Sequence, residues 1–228
     1  MKLRFYHFGL FIFFCVLPHS STAYEKPTSV VMTHFEHPEI GQFIELIEQV
    51  YKDIGIEVQF HPVPSFRGFK LLGNQQVDAD VLRMKINAAS YTDLIIVEPA
   101  IIMGELSMLC TKGFACGMSA LLDPDATIMS NMASQLIIDP SMVKANIVFN
   151  ENLTDALKML SQQKIDYLVF GTTTSQRREL TKYFEVVKLK SVLLNHVIHK
   201  KHLPLLRELQ EAMIQRLNSF EHEDKIDI

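Results

Sequence analysis

The feature that most limits the fold of this chain is a regular alternation of short β-rich runs with amphipathic helical runs. The run TSVVMTHF has strand character, and residues 39–55 after it show the three-to-four spacing of one helix face. The apolar residues on that face are Phe43, Ile47, Val50 and Ile54. IEVQFHPV, VDADVLRM and DLIIVEPA then predict further strands, with GELSMLC as a separate extended run. This β-α-β-α-β order favours parallel strands with right-handed crossovers and predicts an α/β fold.

The alternation begins a second time in the other half of the chain. ATIMSNM, ANIVFN and IDYLVFG predict strands, and a helix is predicted from about residue 152 to residue 163. The long extended run EVVKLKSVLLNHVIHK then leads to a last amphipathic helix. We therefore expect two lobes, each a mostly parallel sheet flanked by helices, with β crossings near residues 104–112 and 186–196. The predicted division is 24–107 plus 190–228 for lobe 1 and 108–189 for lobe 2.

The N-terminus, MKLRFYHFGLFIFFCVLPHSSTAYEKP, has the three parts of a secretory signal peptide. Lys2 and Arg4 give a basic start, Phe8–Leu17 is apolar, and small residues lead to Ala23. The apolar run is shorter than the roughly 20 residues that span a bilayer. We expect residues 1–23 to be a signal peptide cleaved after Ala23 and the protein to be periplasmic, with an uncleaved anchor as the alternative.

Export affects how the cysteines are interpreted. Cys15 lies within the predicted signal peptide, which leaves Cys110 and Cys116 as a pair in an oxidising compartment. Gly113 and Gly117 suit the short loop that a disulfide between them would close. Two buried free thiols are the alternative.

Charge and histidine spacing exclude several other classes of function. The net charge is −4 and there is no basic block, which argues against binding to nucleic acid. His196 and His199 would face opposite sides of a strand and have Lys200 and Lys201 beside them, so no metal site is expected. We find no Gly-x-Ser-x-Gly or phosphate-loop motif, and we expect no cofactor and no enzyme activity.

Two arginines stand out in PSFRGFKLLGNQQVDADVLRM. Ligands of open α/β sheets bind beyond the carboxyl ends of the strands, and Arg83 lies at the end of a predicted strand. Arg67 begins a helix after the preceding strand, at the same edge of the sheet. A guanidinium can bind a carboxylate through two parallel hydrogen bonds. The alternatives are an ion pair of Arg83 with Asp78 or Asp80, and a surface position for Arg67.

Four segments together resemble the small extracellular solute-binding proteins of the amino-acid-binding type. They are FIELIEQVYKDIGIEVQFHPVPSFRGFKLLGNQQVDADVLRM, TDLIIVEPAIIMGELSMLC, LTDALKMLSQQKIDYLVFG and VIHKKHLPLLRELQEAM. The resemblance covers essentially the whole chain after the predicted signal peptide. It implies a periplasmic-binding-protein-like fold, with two lobes that close on a small ligand.

The resemblance also implies positions for ligand-binding residues. In lobe 1 these are Arg83 and Arg67, and Phe35 and Phe66 could form an aromatic wall, with core packing as their alternative. In lobe 2 the turn MSNMAS follows the first strand and makes Ser130 and Asn131 the candidates.

One position departs from the family pattern. Typical amino-acid binders have an acidic residue for the ligand ammonium after the strand DYLVFG, where this chain has Gly171, Thr172 and Thr173. This departure favours a small polar or anionic ligand other than a zwitterionic amino acid, or the absence of a tight ligand.

The expected function is capture of a small polar or anionic ligand, amino-acid-like or an organic acid. We expect a monomer whose partner is a membrane permease or the outer domain of a sensor. One alternative is a binding-protein fold that has lost its ligand and serves as a protein-partner module. A lesser alternative is a lyase, because cyclohexadienyl dehydratases use this fold.

Overall fold

The computed structural model describes residues 24–135 and 138–223, so the predicted signal peptide lies outside the described residues. In the described chain the strands are β1 (Ser29–His34), β2 (Glu57–Pro62), β3 (Ala79–Met84), β4 (Leu94–Cys110), β5 (Thr127–Ser130), β6 (Asn146–Phe149), β7 (Tyr167–Thr172) and β8 (Glu185–His199). The α-helices are α1 (Ile40–Asp53), α2 (Ser65–Gly73), α3 (Lys85–Ala88), α4 (Met118–Leu122), α5 (Met132–Gln135), α6 (Leu153–Ser161), α7 (Thr174–Leu180) and α8 (Leu206–Glu223). Two 3-10 helices span Pro140–Met142 and Lys200–Leu205.

The strands form one mixed sheet in the order β2-β1-β3-β8-β4-β7-β5-β6. β1 is parallel to β2 and β3, and β5 is parallel to β6 and β7. β8 lies antiparallel to β3 and β4, and β4 lies antiparallel to β7. The predicted α/β class with two parallel groups of strands is confirmed.

The long strands β4 and β8 connect the two parallel groups. The first residues of β4 pair with the end of β8, and Glu105–Cys110 pair with both β7 and the start of β8. The prediction of two separate extended runs in this region was wrong, because β4 continues through 17 residues. The pairing of β4 with β8 is interrupted between Val97 and Ile102, around Pro99, which has no N–H to donate to the ladder.

Each parallel group has its own hydrophobic core. In the first lobe, built on β1–β3, the buried face of α1 packs with the strands and α8, and it includes Ile47 and Val50. In the second lobe, built on β5–β7, α6 packs Leu153 and Leu160 against Leu168 of β7. Full burial of such a side chain contributes about 1.5–3 kcal/mol. Two cores around two crossings are the two-lobed architecture predicted from the sequence, and the division at residues 107 and 190 stays a prediction.

A short loop closes the end of β4. Cys110 and Cys116 form a disulfide with their Cα atoms 5.8 Å apart, and Gly113 and Gly117 take positive φ angles of 96° and 121° beside it. The structure thus has the predicted disulfide and not the alternative pair of free thiols. In the chain from residue 24 to residue 223, apart from 136 and 137, no helix is long and apolar enough to cross a membrane.

Candidate functional site

A cleft with a volume of about 210 Å³ lies between the two lobes. The six parallel strands all end at this cleft, and the residues that line it at or after the strand ends include His37, Val63, Arg83, Asn131, Glu151 and Thr173. The crossing strands supply the base, with Ile102, Gly104 and Glu105 from β4 and Val192 and Leu194 from β8. Open α/β sheets bind ligands at this edge.

Arg83 forms the charged part of the first lobe's wall. Its side chain is 2% exposed and lines the cleft, and Nη2 donates to Asp80 Oδ2 at 2.5 Å. Thr33 Oγ1 donates to the same oxygen at 2.5 Å. The guanidinium carbon lies 4.7 Å from the centre of the Phe69 ring and 5.9 Å from that of Phe35. The ion pair and the two rings fix the guanidinium in place.

Arg83 forms the ion pair that was considered as an alternative, with Asp80, and it also lines the cleft. Burial raises the pKa of the Asp80 carboxyl, and the charge of Arg83 opposes that rise. A guanidinium has five N–H donors and can therefore contact more than one acceptor. Asp78 has other partners, Lys201 Nζ at 2.7 Å and His202 Nε2 at 2.9 Å.

The position of Arg83 requires a glycine on α2. A Cβ atom added at Gly68 would lie 2.0 Å from Arg83 Nη2 and 2.9 Å from Asp80 Oδ2. The sequence did contain a signal for this contact, a glycine in the interior of a predicted helix, but its physical reason is visible only in three dimensions.

The structure brings some predicted site residues to the cleft and leaves others away from it. Phe35 and Asn131 line it, together with Arg83. Ser130 is buried, and its hydroxyl donates to the carbonyl oxygen of Asn131 at 3.3 Å without lining the cleft. Arg67 is exposed and lies outside the lining.

Phe66 also lies outside the lining of the cleft. It is half-buried on α2, and Lys70 Nζ lies 4.9 Å from the centre of its ring. The aromatic wall is formed instead by Phe35, Phe43, Phe69 and Phe170.

Glu105 is a charged cleft residue that the sequence analysis missed. It is 6% exposed, and Arg177 Nε donates to its Oε2 at 2.5 Å while Lys188 Nζ lies 3.6 Å from Oε1. The two cations neutralise the carboxylate. The available signal was a lone acidic residue within the apolar run IIMGELSMLC.

The cleft is open at Gly171, on the strand that pairs with β4 next to Glu105. Gly171 lines the cleft, and a Cβ added there would meet only Met84 Cε, at 4.0 Å. The cleft therefore combines an apolar interior, one arginine held in an ion pair, and free space at the end of β7. Among the described residues, no group of three or more His, Cys, Asp or Glu is arranged to hold a metal ion.

A carboxylate at the mouth of the cleft contacts both lobes. Glu39, just before α1, accepts hydrogen bonds from Thr173 Oγ1 at 2.6 Å and from Ser175 Oγ at 3.0 Å. The backbone N–H of Glu39 donates to His37 Nδ1 at 3.2 Å. Burial lowers the pKa of His37, and the nearby Glu39 carboxylate partly offsets this. An imidazole that is neutral can accept this hydrogen bond at Nδ1.

Two parallel groups of strands, two crossing strands and a cleft at the carboxyl ends define the fold of two-lobed periplasmic binding proteins. Solved structures confirm this. An ancestral amino-acid-binding protein, a precursor of cyclohexadienyl dehydratase, is 17% identical with a TM-score of 0.73, over 86% of this chain and 93% of that one.

Two further solved structures come from proteins with different roles. The substrate-binding protein of an amino acid ABC transporter is 12% identical with a TM-score of 0.70, over 87% of this chain and 97% of that one. A histidine kinase sensor domain with similarity to periplasmic binding proteins is 16% identical with a TM-score of 0.69, over 87% of this chain and 94% of that one. No protein-family model and no curated protein sequence matches the chain. These similarities establish the fold.

Proposed function

We propose that this chain is an exported solute-binding protein that captures a small carboxylate with an apolar body between its lobes. The single observation that carries the proposal is Arg83, whose 2%-exposed guanidinium lines the cleft within 6 Å of the centres of two aromatic rings. A buried arginine suits a planar anion, and the apolar residues around it suit a hydrocarbon body. Both an amino-acid-like molecule and an organic acid have these two parts.

Hydrogen bonds from a charged group contribute about 1.5–3 kcal/mol each, which corresponds to about 10- to 150-fold in affinity. The space at Gly171, without a carboxylate on that residue, favours an organic acid that has no ammonium group beside its carboxylate. Matched ligand pairs that differ only in the amino group would distinguish the two classes.

The test is a thermal-shift screen of residues 24–228 against amino acids and their des-amino analogues, followed by calorimetry on each compound that raises Tm. A ligand at about 100 times its Kd adds roughly 2.7 kcal/mol of stability, which such a screen detects. If no compound raises Tm, the proposal fails and the alternative of a protein-partner module without a ligand is favoured.

Variants at the two arginines test the site. We expect Arg83→Ala to lose at least 10-fold in affinity and Arg67→Ala, the matched control outside the cleft, to bind normally. Because Arg83→Ala leaves Asp80 buried without its cation, the double variant Asp80→Asn/Arg83→Gln tests the same point without an unpaired charge. Normal affinity in the folded double variant would contradict the assignment.

We further propose a membrane permease or the outer domain of a sensor as the partner, and a monomeric state. Proteins with this fold include a transporter component and a sensor domain, so both partners are compatible with it. A permease should bind the ligand-loaded protein and catalyse uptake of the same compound. A sensor should change its signalling output without uptake, and reconstitution with each candidate membrane protein distinguishes the two.

A further inference from the structure

The contact between Glu39 and α7 bridges the cleft. Glu39 precedes a helix of the first lobe, and Thr173 and Ser175 follow β7 in the second lobe. One carboxylate thus accepts two hydrogen bonds from the opposite lobe, with one hydroxyl on each oxygen. Hydrogen bonds to an ionised acceptor are stronger than those between neutral groups.

Both sides of this contact are held in position by local hydrogen bonds. Thr173 is the N-cap of α7, where its Oγ1 accepts from the backbone N–H of Gln176 at 3.1 Å. The hydroxyl can accept this bond and still donate its one proton to Glu39, at 2.6 Å, while Ser175 Oγ lies 2.9 Å away. On the other side, the bond from the Glu39 N–H to His37 fixes the loop that carries the carboxylate. The Glu39 carboxylate and the Thr173 hydroxyl therefore lose little conformational freedom when the lobes meet.

The contact lies at the mouth of the ligand cleft, because His37 and Thr173 both line that cleft. Asn87 Nδ2 of the first lobe also donates across it, to the carbonyl oxygen of Ala133 at 3.2 Å. Separation of the lobes breaks these bonds, so their free energy belongs to the closed form. A ligand that binds the closed form gains affinity in proportion to the closed population.

We infer that Glu39 is a positioning residue that latches the two lobes together through Thr173 and Ser175 and so sets ligand affinity without touching the ligand. The latch favours closure before a ligand arrives. Its effect on affinity rests on the proposed binding function, whereas its effect on lobe separation does not.

The experiment measures the distance between spin labels on the two lobes by pulsed electron paramagnetic resonance, in ligand-free protein. Labels at exposed positions Glu48 on α1 and Lys158 on α6 report the separation. We expect Glu39→Ala to lower the ratio of closed to open molecules about 10-fold. Ser175→Ala, an exposed position at which folding is not at risk, should produce a smaller shift in the same direction. Glu45→Ala, which removes an exposed carboxylate from α1, the helix that Glu39 precedes, is the control and should leave the distances unchanged.

A distance distribution in Glu39→Ala equal to that of the wild type would overturn the latch. With any carboxylate found in the screen, we expect Glu39→Ala to raise Kd several-fold, mainly through faster dissociation. A purely structural role for Glu39 would lower Tm without changing lobe separation, and that result also contradicts the inference. A wild type that binds no compound but opens when Glu39 is removed would refute the proposed function and support the latch.

Discussion

The buried histidine on β8 should make the first lobe sensitive to acid. His196 is 0% exposed, and its Nε2 lies 2.9 Å from the Tyr51 hydroxyl of α1. Burial lowers the pKa of the imidazole to about 4, from an ordinary value of 6.5. The folded protein therefore keeps this ring neutral in a pH range where the unfolded chain protonates it.

The sign and size of the effect follow from linkage. Well above pH 6.5 His196 is neutral in both the folded and the unfolded state, and stability does not depend on it. As the pH falls from 6.5 towards 4, the unfolded chain binds a proton that the folded protein does not, so stability is lost. With those two pKa values, the loss from this residue between pH 7.5 and pH 5.0 is about 2 kcal/mol.

The assay is urea unfolding of the wild type and His196→Gln at both pH values. Glutamine can hydrogen-bond to Tyr51 but does not titrate between these pH values. Any stability lost through the substitution itself is therefore the same at both pH values. If the unfolding free energy falls by roughly 2–3 kcal/mol per M of urea, a loss of about 2 kcal/mol lowers the urea midpoint by roughly 1 M. We therefore expect the midpoint of the wild type to fall by roughly 1 M more than that of the variant between the two pH values. Other histidines titrate in both proteins and cancel in the difference. An equal fall in both proteins would refute the reasoning.

Three further changes have defined outcomes. Gly68→Ala should lower ligand affinity about 10-fold in calorimetry by displacing the Arg83 guanidinium, whereas Gly73→Ala, whose new Cβ would have no neighbour within 4 Å apart from its own helix backbone, should bind normally. Gly104→Ala places a Cβ 2.5 Å from Leu194 Cδ1 and should cost about 1–3 kcal/mol of unfolding free energy in urea; unchanged stability would mean that the crossing strands adapt without strain. Reduction of the disulfide frees the unfolded chain from a constraint and should lower the unfolding free energy. The loss should be only about 2 kcal/mol because the closed loop is short, and urea unfolding with and without reductant measures it.

The elements that the sequence predicted well are those that depend on local spacing. The face of α1 repeats at helical intervals, so its burial against the sheet could be predicted. The continuity of β4 could not, because Pro99 looks like the end of a strand until the neighbouring β8 is seen to continue past it.

The candidate site shows the same limit. Arg83 could be placed because the carboxyl end of a strand has a defined position in an α/β sheet. Arg67 and Phe66 share a helix whose orientation the sequence does not determine, and both lie outside the cleft. Glu39 and Glu105 meet partners that are more than 70 residues away in the sequence, and no local pattern indicates such pairs.

The arrangement of the two cores sets the order in which the cleft can be assembled. The first lobe's core joins Met32 and Ile47, near the start of the described chain, to Leu209 and Met213 of α8, near its end. The second lobe's core around β7 comes from the intervening stretch, which can pack as soon as it is complete. During synthesis from the N-terminus, the first lobe has to wait for α8 while the second forms. The wall that carries Arg83 therefore belongs to the core that is completed last, when the final helix of the described chain docks.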